Sequence, residues 1–177
     1  MDDWLPPGYE ARLEAFRAAQ HHEMSDRWRH MDEIVPGLWL GPDTVRCLVE
    51  AFSITLVVSA VTNVERRDPE YKSVPCEEHR IELDDDEDAD LSFEMVTDAA
   101  FRIHAALGAG KRVLVHCAFG RSRSASLCAA YLIASGRAPT YEDALAQLSE
   151  KRPCVRPNAG FAAKLRAMET DLHGFIL

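Results

Sequence analysis

Residues 113–126 read VLVHCAFGRSRSAS. A short apolar run of strand character, 113–115, ends in His116 and Cys117. Arg123 follows after five intervening residues, a glycine and a serine among them, and the chain then turns alanine-rich. This is the order strand, short loop, helix. The loop therefore falls at the carboxyl end of a sheet strand, where α/β proteins bind ligands. The helix behind it aims its unsatisfied N–H groups and partial positive charge back at the loop, which makes an anion site. Gly120 lets the backbone curl so that several amides point inward. Arg123 adds a permanent cationic fork able to hold two phosphate oxygens at once. Cys117 stands at the base of that positive field, which favours its thiolate.

The segments on either side fit an alternation of strands and helices. EIVPGLWLG predicts two short strands around a turn at Pro36 and Gly37. PDTVRCLVEAF predicts a helix starting near Pro42. ITLVVSA is a continuous apolar run, the pattern of a strand covered on both faces. VTNVERRDPEYKSVPCEE reads as loop with a short helix, and HRIEL as a further strand. LSFEMVTDAAFRIHAALGAG carries Met95, Val96, Ala99, Ile103 and Leu107 at helical spacing, with Asp90 or Ser92 as its cap. SRSASLCAAYLIASG is a helix ended by Gly136. Thr140 and Asp143 have the spacing of a capping box. A last helix follows, with Pro157 at its start. The expected fold is α/β, a mostly parallel central sheet flanked by helices. Residues 1–30 read as an N-terminal helical extension, with helical periodicity through Leu13, Phe16 and Ala19, and residues 31–177 as the catalytic domain.

The totals narrow the function classes. A chain of 177 residues with 47% apolar and 28% charged residues is that of an ordinary globular protein. No run approaches the roughly 18 apolar residues of a membrane helix. The acidic, polar N-terminus is not that of a signal peptide. Five cysteines at irregular spacing make no disulfide framework, which predicts a reducing compartment, cytoplasmic or nuclear. The net charge of −9 argues against nucleic-acid binding. No metal is expected, because HC at 116–117 has no second ligand at a useful spacing. GAGKR at 108–112 is not a nucleotide loop: Ala105 stands where glycine is needed, and Arg112 where Ser or Thr is. Trp4, Trp28 and Trp39 read as packing residues, and Cys47, Cys76, Cys128 and Cys154 as buried thiols. Oligomeric state is left open.

HCAFGRSRS resembles the signature of cysteine-dependent protein phosphatases, His-Cys-x5-Arg-Ser, in the form of the dual-specificity branch, small atypical type. IVPGLWLG is similar to that family's opening hairpin, ITLVVSA to its early core strand, and RPCVRPNAGF to the segment before its last helix. The resemblance covers about residues 32–170 and implies a cofactor-independent enzyme acting on phosphorylated proteins. It implies a role for each matching residue. Cys117 would be the nucleophile that forms a phosphocysteine. Arg123 and the amides of Ala118, Phe119, Gly120, Arg121, Ser122 and Arg123 would bind the phosphoryl oxygens. Ser124 would donate a hydrogen bond to the sulfur, and His116 would tie the loop down through backbone hydrogen bonds. Asn158 resembles an asparagine that braces the phosphate loop. The general acid is an aspartate following a strand of the form I-x-I-x-D, which selects Asp85. Asp84 and Asp86 are its rivals, because DDDEDAD, 84–90, offers a carboxylate at each nearby register.

Two positions depart from the family pattern. Phe119 stands where a small residue is usual, and Arg121 adds a second cation suited to a substrate with extra negative charge. Three alternatives stay open beside a protein phosphatase: a phosphoinositide phosphatase, an RNA 5′-phosphatase, and a phosphopeptide-binding module without turnover.

Overall fold

The computed structural model describes residues 30–63, 65 and 75–175. The predicted N-terminal helix, with Trp4 and Trp28, lies outside the described residues.

Five strands form one sheet in the order β1-β2-β5-β3-β4. β1 (Asp32–Val35) and β2 (Leu38–Pro42) are the expected hairpin, antiparallel, with Gly37 at φ 84° in the turn. β3 (Ile54–Val61), β4 (Glu77–Glu82) and β5 (Arg112–Cys117) run parallel, and β2 joins them parallel to β5. The central strands β5 and β3 are nearly continuous apolar runs, as strands buried on both faces must be. HRIEL falls in β4 but starts late: the strand begins at Glu77, two residues earlier.

The side-chain alternation of the strands separates two cores. One unites Leu56, Val58, Ala60, Val113 and Val115 with the four α-helices described: α1 (Phe93–Gly108), α2 (Arg123–Ala134), α3 (Tyr141–Lys151) and α4 (Ala159–Gly174). The other gathers Val57 and Leu114 under Met31, Val45, Val49 and Phe52. Trp39 packs at its edge, its ring 5.0 Å from that of Phe52. The helix expected near Pro42 is instead a 3-10 segment, Asp43–Leu48, and Pro42 is the last residue of β2. Its sequence, DTVRCL, is rich in β-branched and short polar side chains, which lower α-helical preference.

Every residue of α2 is buried. That explains its composition, since a helix with neighbours on all sides needs small and apolar side chains. α1 is capped by Ser92, whose Oγ accepts from the Met95 amide, so Asp90 is not the cap. Thr140 caps α3 through the amide of Asp143. α4 begins at Ala159 under an Asn158 cap, so Pro157 precedes the cap and does not open the helix. No helix among the described residues is long and apolar enough to cross a membrane.

Candidate active site

β5 delivers His116 and Cys117 to the carboxyl edge of the sheet, where they pair with Gly41 and Pro42 of β2. The loop then turns into α2 through Gly120, at φ 63°. A Cβ at Gly120 would lie 2.4 Å from the carbonyl carbon of Gly41, so both the conformation and the close approach demand glycine. Cys117 is buried at the foot of this loop. The Ser124 hydroxyl, in the first turn of α2, donates to its Sγ at 3.2 Å.

Arg123 is also buried. Its guanidinium forks onto Glu65, NH1 to Oε2 at 2.5 Å and NH2 to Oε1 at 3.1 Å. NH1 donates as well to the Leu83 carbonyl at 3.2 Å. The hydrogen bond to Arg123 holds the Glu65 carboxyl down to about 2. The pair is thus ionised at any physiological pH, and two sides of the guanidinium are fixed. Nε has no hydrogen-bond partner, and Asp85 Oδ2 lies 3.9 Å from it.

Asp85 is the one of the three rival aspartates that the structure brings to the loop. Its Oδ1 accepts from Ser122 Oγ at 2.5 Å and from Asn158 Nδ2 at 3.1 Å. Asp86 turns its carboxylate back to the Asp88 amide at 2.8 Å, and Asp84 is exposed. The acidic segment is pinned between the buried side chains of Leu83 and Leu91. Its middle rests on the start of α4, where a Cβ at Gly160 would lie 1.8 Å from the Glu87 carbonyl oxygen. Lys164 donates to the carbonyl of Ala89.

His116 and Asn158 each reach a second element besides the loop. His116 Nε2 lies 2.7 Å from Ser59 Oγ on β3, and the ring also meets the backbone of Cys117 at the foot of the loop. Ser59 donates its proton to Glu78 Oε1 at 3.0 Å, so the imidazole must be the donor to Ser59. Burial pushes the His116 imidazole down to about 4. Asn158 bonds the acid loop through Asp85 and Asp86, while its backbone N–H donates to Ser122 Oγ at 3.1 Å.

The brace of the phosphate loop is a residue that the sequence reading passed over, Arg152. Fully buried, it donates Nε to the Gly120 carbonyl at 2.7 Å and NH2 to the Phe119 carbonyl at 3.3 Å. NH1 holds the His30 carbonyl at 2.6 Å and Asp32 Oδ2 at 2.8 Å. Its only signal was a place in RPCVRPNAGF, and neither that nor Glu65 shows in the sequence which atom it holds.

A pocket of about 490 Å³ opens beside the loop on the acid side, lined by Asp85, Glu87, Phe119, Arg121, Ser122, Arg156 and Asn158, with Pro157 and Ala159. Phe119 is 58% exposed at its rim. Arg121 is exposed, its Nε donating to the Cys154 carbonyl at 3.2 Å. Of the other thiols expected to be buried, Cys128 is, Cys76 and Cys154 are only partly so, and the side chain of Cys47 lies outside the described residues. Burial pushes the Cys76 thiol up to about 11.

A buried sulfur under a glycine-turned loop, a fixed guanidinium behind it and a carboxylate across it define the class of cysteine-dependent phosphatases. Residues 38–171 match the family described as dual specificity phosphatase, catalytic domain, and the chain belongs to that family. Among its relatives, mouse dual specificity protein phosphatase 26 is 36% identical over 148 residues, covering 81% of this chain and 69% of that one. Two solved structures are close in fold. Human tyrosine phosphatase-like serine/threonine/tyrosine-interacting protein is 29% identical, with a TM-score of 0.75, covering 81% of this chain and 97% of that chain. Human DUSP28 is 28% identical, with a TM-score of 0.73, covering 80% of this chain and 94% of that chain. The fold is thus the expected cysteine-phosphatase fold, and the activity is that of a dual-specificity protein phosphatase.

Proposed function

We propose that this phosphatase hydrolyses phosphotyrosine, phosphoserine and phosphothreonine in proteins by two in-line displacements at Cys117. The observation that carries the residue roles is the convergence of Ser124 on the sulfur, at 3.2 Å, and of Asp85 and Arg123 on the same loop. In the first step the Cys117 thiolate attacks phosphorus and an S–P bond forms. The P–O bond to the leaving oxygen breaks, and that oxygen takes the Asp85 proton. Arg123 and the loop amides from Ala118 to Arg123 hold the equatorial oxygens, where charge gathers in the transition state. In the second step Asp85, now a carboxylate, takes a proton from water as the water oxygen bonds to phosphorus. The S–P bond breaks, and the Ser124 hydroxyl stabilises the departing thiolate. His116 and Asn158 support the site without touching the phosphoryl group.

The reading places the enzyme in the cytoplasm or nucleus, where its free thiols stay reduced. The test is hydrolysis of an aryl phosphate with a chelator present, followed by Cys117→Ser. The serine variant is expected to be inactive, and full activity in that variant would end the assignment. A second reading, a phosphoinositide as substrate, draws on Arg121 and Arg156, two exposed guanidinium side chains on one pocket. A comparison of kcat/KM on a phosphopeptide, a phosphoinositide and a triphosphorylated RNA separates these substrates. Phosphopeptide binding with no phosphate release would mark a non-catalytic module instead.

A further inference from the structure

The Ser122 hydroxyl sits at the junction of three elements: the phosphate loop that carries it, the acid loop, and the turn before α4. Its hydrogen bonds leave no freedom in the direction of its proton. The Asn158 backbone N–H, 3.1 Å away, is a donor, so Ser122 Oγ accepts there. Asp85 Oδ1, 2.5 Å away, is an acceptor, so the hydroxyl proton goes to it. The orientation of the Asn158 amide is fixed in the same way. Its Oδ1 accepts from the Phe161 amide at 2.8 Å, so its Nδ2 is the group that donates to Asp85 Oδ1 at 3.1 Å and to the Asp86 carbonyl at 3.2 Å.

Two donors therefore occupy Asp85 Oδ1, one for each of its lone pairs. That oxygen has no room for a proton of its own. The other oxygen, Oδ2, is turned toward Arg123, 3.9 Å from the one guanidinium nitrogen that has no hydrogen-bond partner. We propose that Ser122 is the positioning residue of the proton-transfer step: its hydroxyl, with the Asn158 amide, reserves Oδ1 as an acceptor and so assigns the catalytic proton to Asp85 Oδ2, on the phosphate side. This rests on the reading of Asp85 as general acid and adds to Ser122 a side-chain task separate from its backbone amide.

Removing the hydroxyl frees the carboxyl to rotate and lets Oδ1 compete for the proton. A hydrogen bond to a charged group is worth about 1.5–3 kcal/mol, so the step that needs the proton should slow by about 10- to 150-fold. The effect must depend on the leaving group, because an activated phenolate leaves with little help. The experiment measures kcat/KM of the full chain and of Ser122→Ala over a series of aryl phosphates of rising phenol pKa, ending at phosphotyrosine peptide. The expected result is a loss concentrated at the poor leaving groups, so that the plot of rate against phenol pKa steepens. Ser122→Thr, which keeps a hydroxyl, is expected to restore the shallow plot. In an Asp85→Asn background Ser122→Ala is expected to add almost nothing, because the group it positions is already gone. Tungstate inhibition is read alongside. A uniform loss over the whole series with weakened tungstate binding would overturn the proposal, since it would show that the hydroxyl only shapes the phosphate loop. An unchanged plot, or full additivity with Asp85→Asn, would overturn it as well. If Asp85→Asn alone leaves the plot unchanged, the assignment of the acid itself fails, which is a separate outcome.

Discussion

Replacing Arg152 by methionine keeps the length and removes every polar atom of the residue that holds the phosphate loop from behind. The wild-type side chain is fully buried and serves three backbone carbonyls, of Gly120, Phe119 and His30, besides Asp32. Breaking a buried ion pair by deleting one partner costs about 3–5 kcal/mol. Asp32 keeps 33% of its side-chain surface in water and can be rehydrated, which trims its share. The Gly120 carbonyl belongs to a buried residue and loses its donor outright, at about 1–3 kcal/mol. A net loss of about 4 kcal/mol follows, against a total stability of about 5–15 kcal/mol for a domain, so the variant is expected to fold. With a urea slope of about 2 kcal/mol/M, the midpoint should drop by about 2 M. The loop loses both carbonyl anchors, so kcat/KM should fall as well, and tungstate should bind more weakly. Arg152→Lys is expected to recover only part of this, because an ammonium cannot span the two carbonyls and Asp32 with a planar fork. A methionine variant with an unchanged urea midpoint and wild-type kcat/KM would refute the reasoning.

Gly160→Ala drives a methyl group to within 1.8 Å of the Glu87 carbonyl, so the acid loop must move. Displacements of about 1 Å at a site cost about 100-fold, and kcat/KM on phosphotyrosine should fall toward that while circular dichroism stays native; a wild-type rate would contradict it. Asp85→Asn should lose about 10²- to 10⁴-fold on phosphotyrosine, whereas Asp84→Asn and Asp86→Asn should keep most of the rate; the largest loss at either neighbour would reassign the acid. His116 titrates at about 4 when folded and near its ordinary 6.5 when unfolded, so between those values the unfolded chain binds the extra proton. Its contribution is therefore complete above about pH 6.5 and is lost as pH falls toward 4, by about 3 kcal/mol in all. In urea titrations the stability advantage of wild type over His116→Asn should shrink by about that amount from pH 7 to pH 4; a gap that is constant with pH would show the histidine to titrate alike in both states.

What could be read in the sequence was whatever is local. The cysteine, the glycine, the arginine and the serine of the loop lie within eight residues, and their order alone implies a strand that ends, a turn and a helix that begins. Asp85 was legible through the family resemblance, whose I-x-I-x-D form is fitted by Ile81, Leu83 and Asp85. The Ser122 bond that separates it from its neighbours was not, since it spans 37 positions. Arg152 and Glu65 were missed for the same reason: each acts across the fold, on Gly120 and Arg123, and an arginine or glutamate in a polar stretch looks like surface. The segment 43–48 shows a limit of another kind. Pro42 suited the first turn of a helix, but it ends β2, and DTVRCL, poor in helix formers, closes over the second core as a 3-10 segment. Pro157 was misread by a shift of two residues, because the capping oxygen of Asn158, and not the proline, sets where α4 starts.

The helix that begins at Arg123 has no face in water along its whole length. The peptide dipoles aimed at the phosphate and the apolar centre of the domain are therefore one rigid object. Heat or denaturant that loosens this rod takes the substrate cradle with it. Inactivation and melting should then trace a single curve, with no range in which a folded but disarmed enzyme accumulates.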